Sequence, residues 1–151
     1  MAILGFRCWG DRYCYVLLEG TKSGPEVIDF GHCSAPKNYT RPEELAWLRE
    51  EIRGLVNKHK FQAVVFKAAE PAAQRKDLGR SEFEGVMQEA FHSFAIGKNL
   101  DRKVKRQLLS SLGLKGKVDQ LEPVLSGNGL EAMNKPNFKE AALVAYCSLP
   151  D

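Results

Sequence analysis

Three extended segments precede any helix in this chain, and that order restricts the folds open to it. Ala2 to Cys8 and Tyr13 to Leu18 are apolar, β-branched or aromatic, with Gly10-Asp11 between them as a two-residue turn. Glu26 to Cys33 is the third segment, after a connection from Gly20 to Pro25 with turn composition. The predicted strands are 2–9, 12–19 and 26–33, an antiparallel meander. Arg7 is out of place in it. A guanidinium in the middle of a half-buried strand needs solvent or a partner, because burying it alone is costly.

Alternation follows the meander. Ser34 to Asn38 reads as a loop, and Thr40-Arg41-Pro42-Glu43 as a capping box opening a helix to about His59. Leu45, Leu48, Ile52, Leu55 and Val56 form its apolar face. Gln62 to Lys67 reads as a buried central strand ended by Lys67. Ala68 to Gly79 is a loop long enough to be functional or mobile. Ser81-Glu82-Phe83-Glu84 reads as a second capping box, with Phe83, Val86, Met87 and Ala90 facing inward. Phe91 to Ile96 is assigned as a fifth strand, the alternative being one helix running to 96. Asn99 to Leu112 then reads as a helix stopped by Gly113. Residues 115–136 read as loop with at most one short helix before Pro123, and Asn137 to Leu149 as an apolar closing helix. The expected fold class is α/β: a five-stranded mixed sheet, three N-terminal antiparallel strands followed by strands alternating with helices, in one domain over 1–151.

Several chemistries are excluded. No apolar run approaches the roughly 18 residues of a membrane span, and no signal-peptide pattern opens the chain, so the expected location is cytoplasmic. Cys8, Cys14, Cys33 and Cys147 form no Cys-x-x-Cys pair and read as reduced thiols, not as zinc ligands. His32, His59 and His92 are scattered, and there is no nucleophile elbow or glycine-rich phosphate loop. Trp9 and Trp47 read as packing residues. The net charge is only +3, but residues 98–117 carry Lys98, Arg102, Lys103, Lys105, Arg106, Lys115 and Lys117 against the single acid Asp101.

Five local sequences resemble the ribonuclease H-like fold, and within it the Holliday-junction resolvases of the RuvC type. Ile3-Leu4-Gly5-Phe6-Arg7 resembles their opening strand, apolar-apolar-Gly-apolar-Asp. Ala63-Val64-Val65-Phe66-Lys67 resembles their fourth strand, which ends in Glu. Glu84-Gly85-Val86-Met87-Gln88-Glu89-Ala90 is similar to their first long helix, and Gly97-Lys98-Asn99 with Lys103 to the turn before their basic helix. Glu140-Ala141-Ala142-Leu143-Val144-Ala145 resembles their last helix. The closest resemblance is to short bacterial proteins of this type that carry Lys at the end of the fourth strand.

The resemblance implies a nuclease whose carboxylates hold two Mg²⁺ ions. Position by position, Arg7 stands where that family has Asp, Lys67 where it has Glu, and Asn137 where it has Asp. Only Glu140 keeps a carboxylate. The favoured reading is therefore a non-catalytic domain without a metal or other cofactor, binding nucleic acid or a nucleic-acid-processing complex. Either Arg7 and Lys67 pair with Glu140 in place of the metal centre, or they bind phosphate. Arg75, Lys76, Arg80, Lys98, Lys103 and Arg106 are the expected phosphate contacts. One alternative is an active Mg²⁺- or Mn²⁺-dependent nuclease with relocated carboxylates, Glu70 and Glu140 first, with Asp29, Glu82 and Glu84 as further candidates. A second alternative is a protein-interaction module that keeps only the fold. Protein partners and a homo-oligomer remain open, and no membrane partner is expected.

Overall fold

A computed structural model describes residues 1–71 and 75–151 of the chain. The meander forms as expected: β1 (Ala2–Cys8), β2 (Arg12–Thr21) and β3 (Gly24–Ser34). The Trp9 amide donates to the Arg12 carbonyl at 2.9 Å, closing the hairpin over Gly10 and Asp11. Arg7 sits opposite Cys14, and Cys8 opposite Tyr13. Cys8 and Cys14 join opposite core layers, and all four cysteines are free thiols.

Helix α1 (Arg41–Lys58) opens on the Thr40–Glu43 capping box, with both reciprocal hydrogen bonds present. β4 (Ala63–Lys67) then enters beside β1 and parallel to it. The predicted loop after β4 is described on both sides of residues 72–74, which lie outside the described residues.

The next segments differ from expectation. Helix α2 spans Leu78–Phe94, and its N-cap is Asp77, whose side chain accepts the Arg80 amide. Ser81–Glu84 is therefore no capping box. Glu84 is turned inward and accepts from the Ala69 amide and Arg80. Phe91 to Phe94 continues the helix, because Phe83, Met87, Ala90 and Phe91 form one buried helical stripe and Phe91 meets the Phe6 ring edge-on at 5.3 Å. The fifth strand is instead β5 (Asn99–Lys103), inside the segment read as a helix. It is polar because it is an edge strand, parallel to β4. The basic helix shortens to α3 (Lys105–Ser111).

Residues 115–136, read mostly as loop, contain a 3₁₀ turn at Val118–Leu121, the short helix α4 (Val124–Gly127) and a 3₁₀ turn at Glu131–Met133. The closing helix α5 is Lys139–Ser148.

The strand order is β3-β2-β1-β4-β5, the expected five-stranded mixed sheet. Pleating sorts its side chains into two cores. Leu4, Phe6, Tyr13, Tyr15, Val64 and Phe66 pack under α1 and α2. Ile3, Val16, Leu18 and Val65 pack under α5 with Leu108, Leu121 and Leu125. No helix of the described residues is long and apolar enough to cross a membrane.

Arg41 ties three elements together. Its guanidinium donates to the Gly10 carbonyl at 2.6 Å and the Gly79 carbonyl at 2.9 Å, and it stacks over Phe83 at 4.8 Å. This fixes the β1–β2 hairpin and the start of α2 against the start of α1. Arg41→Ala is expected to cost about 2 kcal/mol, the scale of charge-assisted hydrogen bonds lost at a partly buried site. Chemical denaturation measures it, and a loss under about 0.5 kcal/mol, the range of an ordinary surface substitution, would remove this role.

Candidate functional site

The register of the parallel strands builds the site. Gly5 lies beside Val65 and Phe6 beside Phe66, which puts Arg7 next to Lys67 at the carboxyl ends of β1 and β4. Lys67 in turn neighbours Lys103 on β5. Odd-numbered residues of β1 and β4 face α5, so both cations point at its first turn, where Glu140 lies. Crevices at the carboxyl ends of parallel strands are where open α/β sheets bind ligands.

The charges there satisfy one another. Lys67 is 2% exposed. Its Nζ donates to Glu70 Oε1 at 2.9 Å and the Ala68 carbonyl at 2.7 Å, and lies 3.6 Å from Glu140 Oε2. Arg7 Nη2 is 3.6 Å from Glu140 Oε1, and its Nη1 donates to the Cys8 carbonyl at 3.0 Å. The Arg7 guanidinium lies over the Trp9 ring at 3.9 Å, and its Nε is buried without a hydrogen-bond partner. Behind them Arg80 bonds Glu84 at 2.9 Å and the Lys67 carbonyl at 3.0 Å.

Burial lowers the Arg7 pKa; Glu140 opposes the shift and Arg80 adds to it. For Glu70, burial works to raise the pKa, but Lys67 and the Lys105 amide outweigh it and hold the carboxyl below its ordinary value.

The donor set does not fit the two-metal centre that the resemblance implies. Glu70 and Glu140 do come together, but around the ammonium of Lys67, with a guanidinium alongside. Among the described residues no three His, Cys, Asp or Glu side chains gather as a metal site. A divalent cation would have to displace a buried cation held by the same oxygens. Asn137 is exposed ahead of α5. The other acids are engaged elsewhere: Asp29 accepts from Tyr15 at 2.8 Å and contacts His59 at 2.7 Å on the far core, and Glu82 pairs with Arg41 at 3.0 Å.

The predicted basic residues divide. Arg75 and Lys76 are exposed and line a cleft with Arg7, Trp9, Arg80 and Arg102. Arg80 lines the same cleft while bonded to Glu84 and the Lys67 carbonyl. Lys103 pairs with Asp101 at 3.3 Å. Lys98 precedes β5 at the opposite end of the strands, and Arg106 lines a separate cavity with Lys115 and Lys117. Arg102, Lys105 and Lys135 were not among the expected contacts. Arg102 joins the cleft because its segment is a strand, and Lys105 and Lys135 line the adjoining cavity with Lys67. None of these three forms an ion pair among the described residues.

A three-layer α/β sandwich with this strand order is the ribonuclease H-like fold, in the form taken by RuvC. The structure of Thermus thermophilus RuvC superposes with a TM-score of 0.80 at 12% identity, over 97% of this chain and 92% of that one. The structure of that protein in complex with a Holliday junction substrate gives 0.76 at 12% identity, over 97% and 91%. At that identity the likeness establishes the fold. Comparison by sequence finds neither a matching family model nor a matching curated protein.

Proposed function

We propose that this chain is a non-catalytic RuvC-type domain that binds nucleic acid through its sugar-phosphate backbone. The observation that carries the reading is the buried Lys67 ammonium shared by Glu70 and Glu140. It puts an internal cation at the carboxyl end of β4, and together with Arg7 it balances the charge of the two carboxylates that a metal would otherwise use.

Support for nucleic acid comes from what surrounds this neutralised centre. Arg75, Lys76 and Arg102 in the cleft, and Lys105 and Lys135 beside it, present positive charge without a carboxylate partner among the described residues. One structure of the same fold holds a branched DNA, a Holliday junction substrate.

Fluorescence anisotropy with labelled duplex, branched and single-stranded oligonucleotides tests the reading. If about three phosphates are neutralised, affinity for duplex falls roughly forty-fold between 50 and 200 mM salt. Combining Arg75→Ala, Lys76→Ala and Arg102→Ala flattens that dependence. Absence of salt-dependent binding would favour a protein-interaction module. Mn²⁺-dependent cleavage that Glu70→Gln or Glu140→Gln abolishes would establish an active nuclease instead.

A further inference from the structure

Beside the ion cluster lies a cavity of about 460 Å³ between α3, the 3₁₀ turn at Val118–Leu121 and the first turns of α5. That volume is in the range of small-molecule sites. Its two sides differ in chemistry. Leu108, Leu121 and Leu143 make an apolar floor, and Val118, 43% exposed, extends it at the mouth. Lys105 and Lys135 stand on the wall with no ion-pair partner among the described residues. The other charges are spoken for: Lys139 pairs with Glu122, and Lys67 and Glu140 belong to the cluster.

We infer that this cavity binds one nucleoside monophosphate unit, its base against Leu108, Leu121 and Val118 and its phosphate on Lys105 and Lys135. The inference rests on the nucleic-acid reading for its choice of anion. The cavity itself calls for a ligand with an anionic end and an apolar face. Inorganic phosphate would leave the floor uncovered, and an uncharged base would leave two ammonium groups without an anion. The unit comes either from a free nucleotide or from a strand lying in the neighbouring cleft.

The test is methyl NMR of the full chain, following Leu108, Leu121 and Leu143, with adenosine monophosphate, adenosine and inorganic phosphate titrated separately. Adenosine monophosphate is expected to shift these methyls at lower concentration than either fragment. Lys105→Ala with Lys135→Ala weakens its binding by at least about tenfold, as loss of charge-assisted contacts predicts. Val118→Trp, at the exposed mouth, blocks the shifts while leaving both lysines in place. A short oligonucleotide that shifts the same methyls more strongly identifies the strand as the source; if it does not, the source is the free nucleotide.

Equal response to phosphate alone, or no methyl shift with adenosine monophosphate and the oligonucleotide, overturns the inference. In the latter case anisotropy separates the two readings. Retained salt-dependent oligonucleotide binding leaves the nucleic-acid proposal standing without this pocket, and its loss removes both.

Discussion

Exchanging the two clustered cations for acids, R7D with K67E, is expected to give the fold a dependence on divalent metal. In the natural chain, Glu70 and Glu140 are neutralised by Lys67 and Arg7 at 2.9 to 3.6 Å. The double variant would place four carboxylates in the same space with no cation among them. Removing one partner of a buried ion pair typically costs about 3–5 kcal/mol, and like-charge repulsion adds to that. The metal-free variant should therefore unfold at much lower temperature than the natural chain. Mn²⁺ or Mg²⁺ would supply the missing charge and take oxygen ligands. At a hundredfold excess over its dissociation constant a bound ion stabilises by about 2.7 kcal/mol. For a chain of this size that is roughly a 5–10 °C rise in Tm. Thermal unfolding with and without Mn²⁺, and titration calorimetry, provide the readout. Equal Mn²⁺ binding by the natural chain and the variant would mean that Lys67 does not fill the metal's place.

That cluster was legible in the sequence to an unusual degree, and the reason is geometric. Lys67 ends β4 and Arg7 lies inside β1 one residue before its end, both in otherwise apolar strands, so their type and position can be read directly. Parallel register alone then sets them side by side. The sequence leaves open whether they pair with Glu140 or bind phosphate; in the structure both lie 3.6 Å from Glu140, and Lys67 is also bonded by Glu70, three residues on. β5 was hidden for the opposite reason. Asn99 to Lys103 has one apolar residue, and an edge strand with little burial has no need of a hydrophobic pattern. Assigning that strand to Phe91–Ile96 also cut α2 short, because a run of aromatics suits strand and helix alike until its packing partners are known. The basic cleft was only partly visible. Arg75 and Arg102 are distant in sequence, and it is the β4–β5 pairing that carries Arg102 to the same end of the sheet. The cavity lysines were harder still, since Lys135 belongs to a segment without periodicity.

Gly5→Ala is expected to be the most damaging single methyl that can be added to this chain. Gly5 is on the α5 face of β1, and a Cβ there would overlap the Ala141 carbonyl oxygen and come within 2.9 Å of the Ala145 Cβ. Neither side can yield cheaply. β1 is hydrogen-bonded on both flanks, to β2 and β4, and Ala141 to Cys147 of α5 are all buried. Overpacking ordinarily costs about 1–3 kcal/mol, and contact with backbone rather than a flexible side chain puts this case at or above the upper end. The relief available is for α5 to move off the sheet, which carries Glu140 away from Arg7 and Lys67. Packing and ion cluster would thus fail together. Gly85→Ala is the matched control. Gly85 is within α2, and nothing approaches the position of its Cβ within 4 Å. There the same change should stabilise by roughly 0.5–1 kcal/mol through helix propensity. Urea unfolding of the two variants should give midpoint shifts of opposite sign. A Gly5→Ala unfolding free energy within about 0.5 kcal/mol of the natural chain would show that α5 does not press on β1 as described, and with it that Glu140 is not held over Lys67 by that contact.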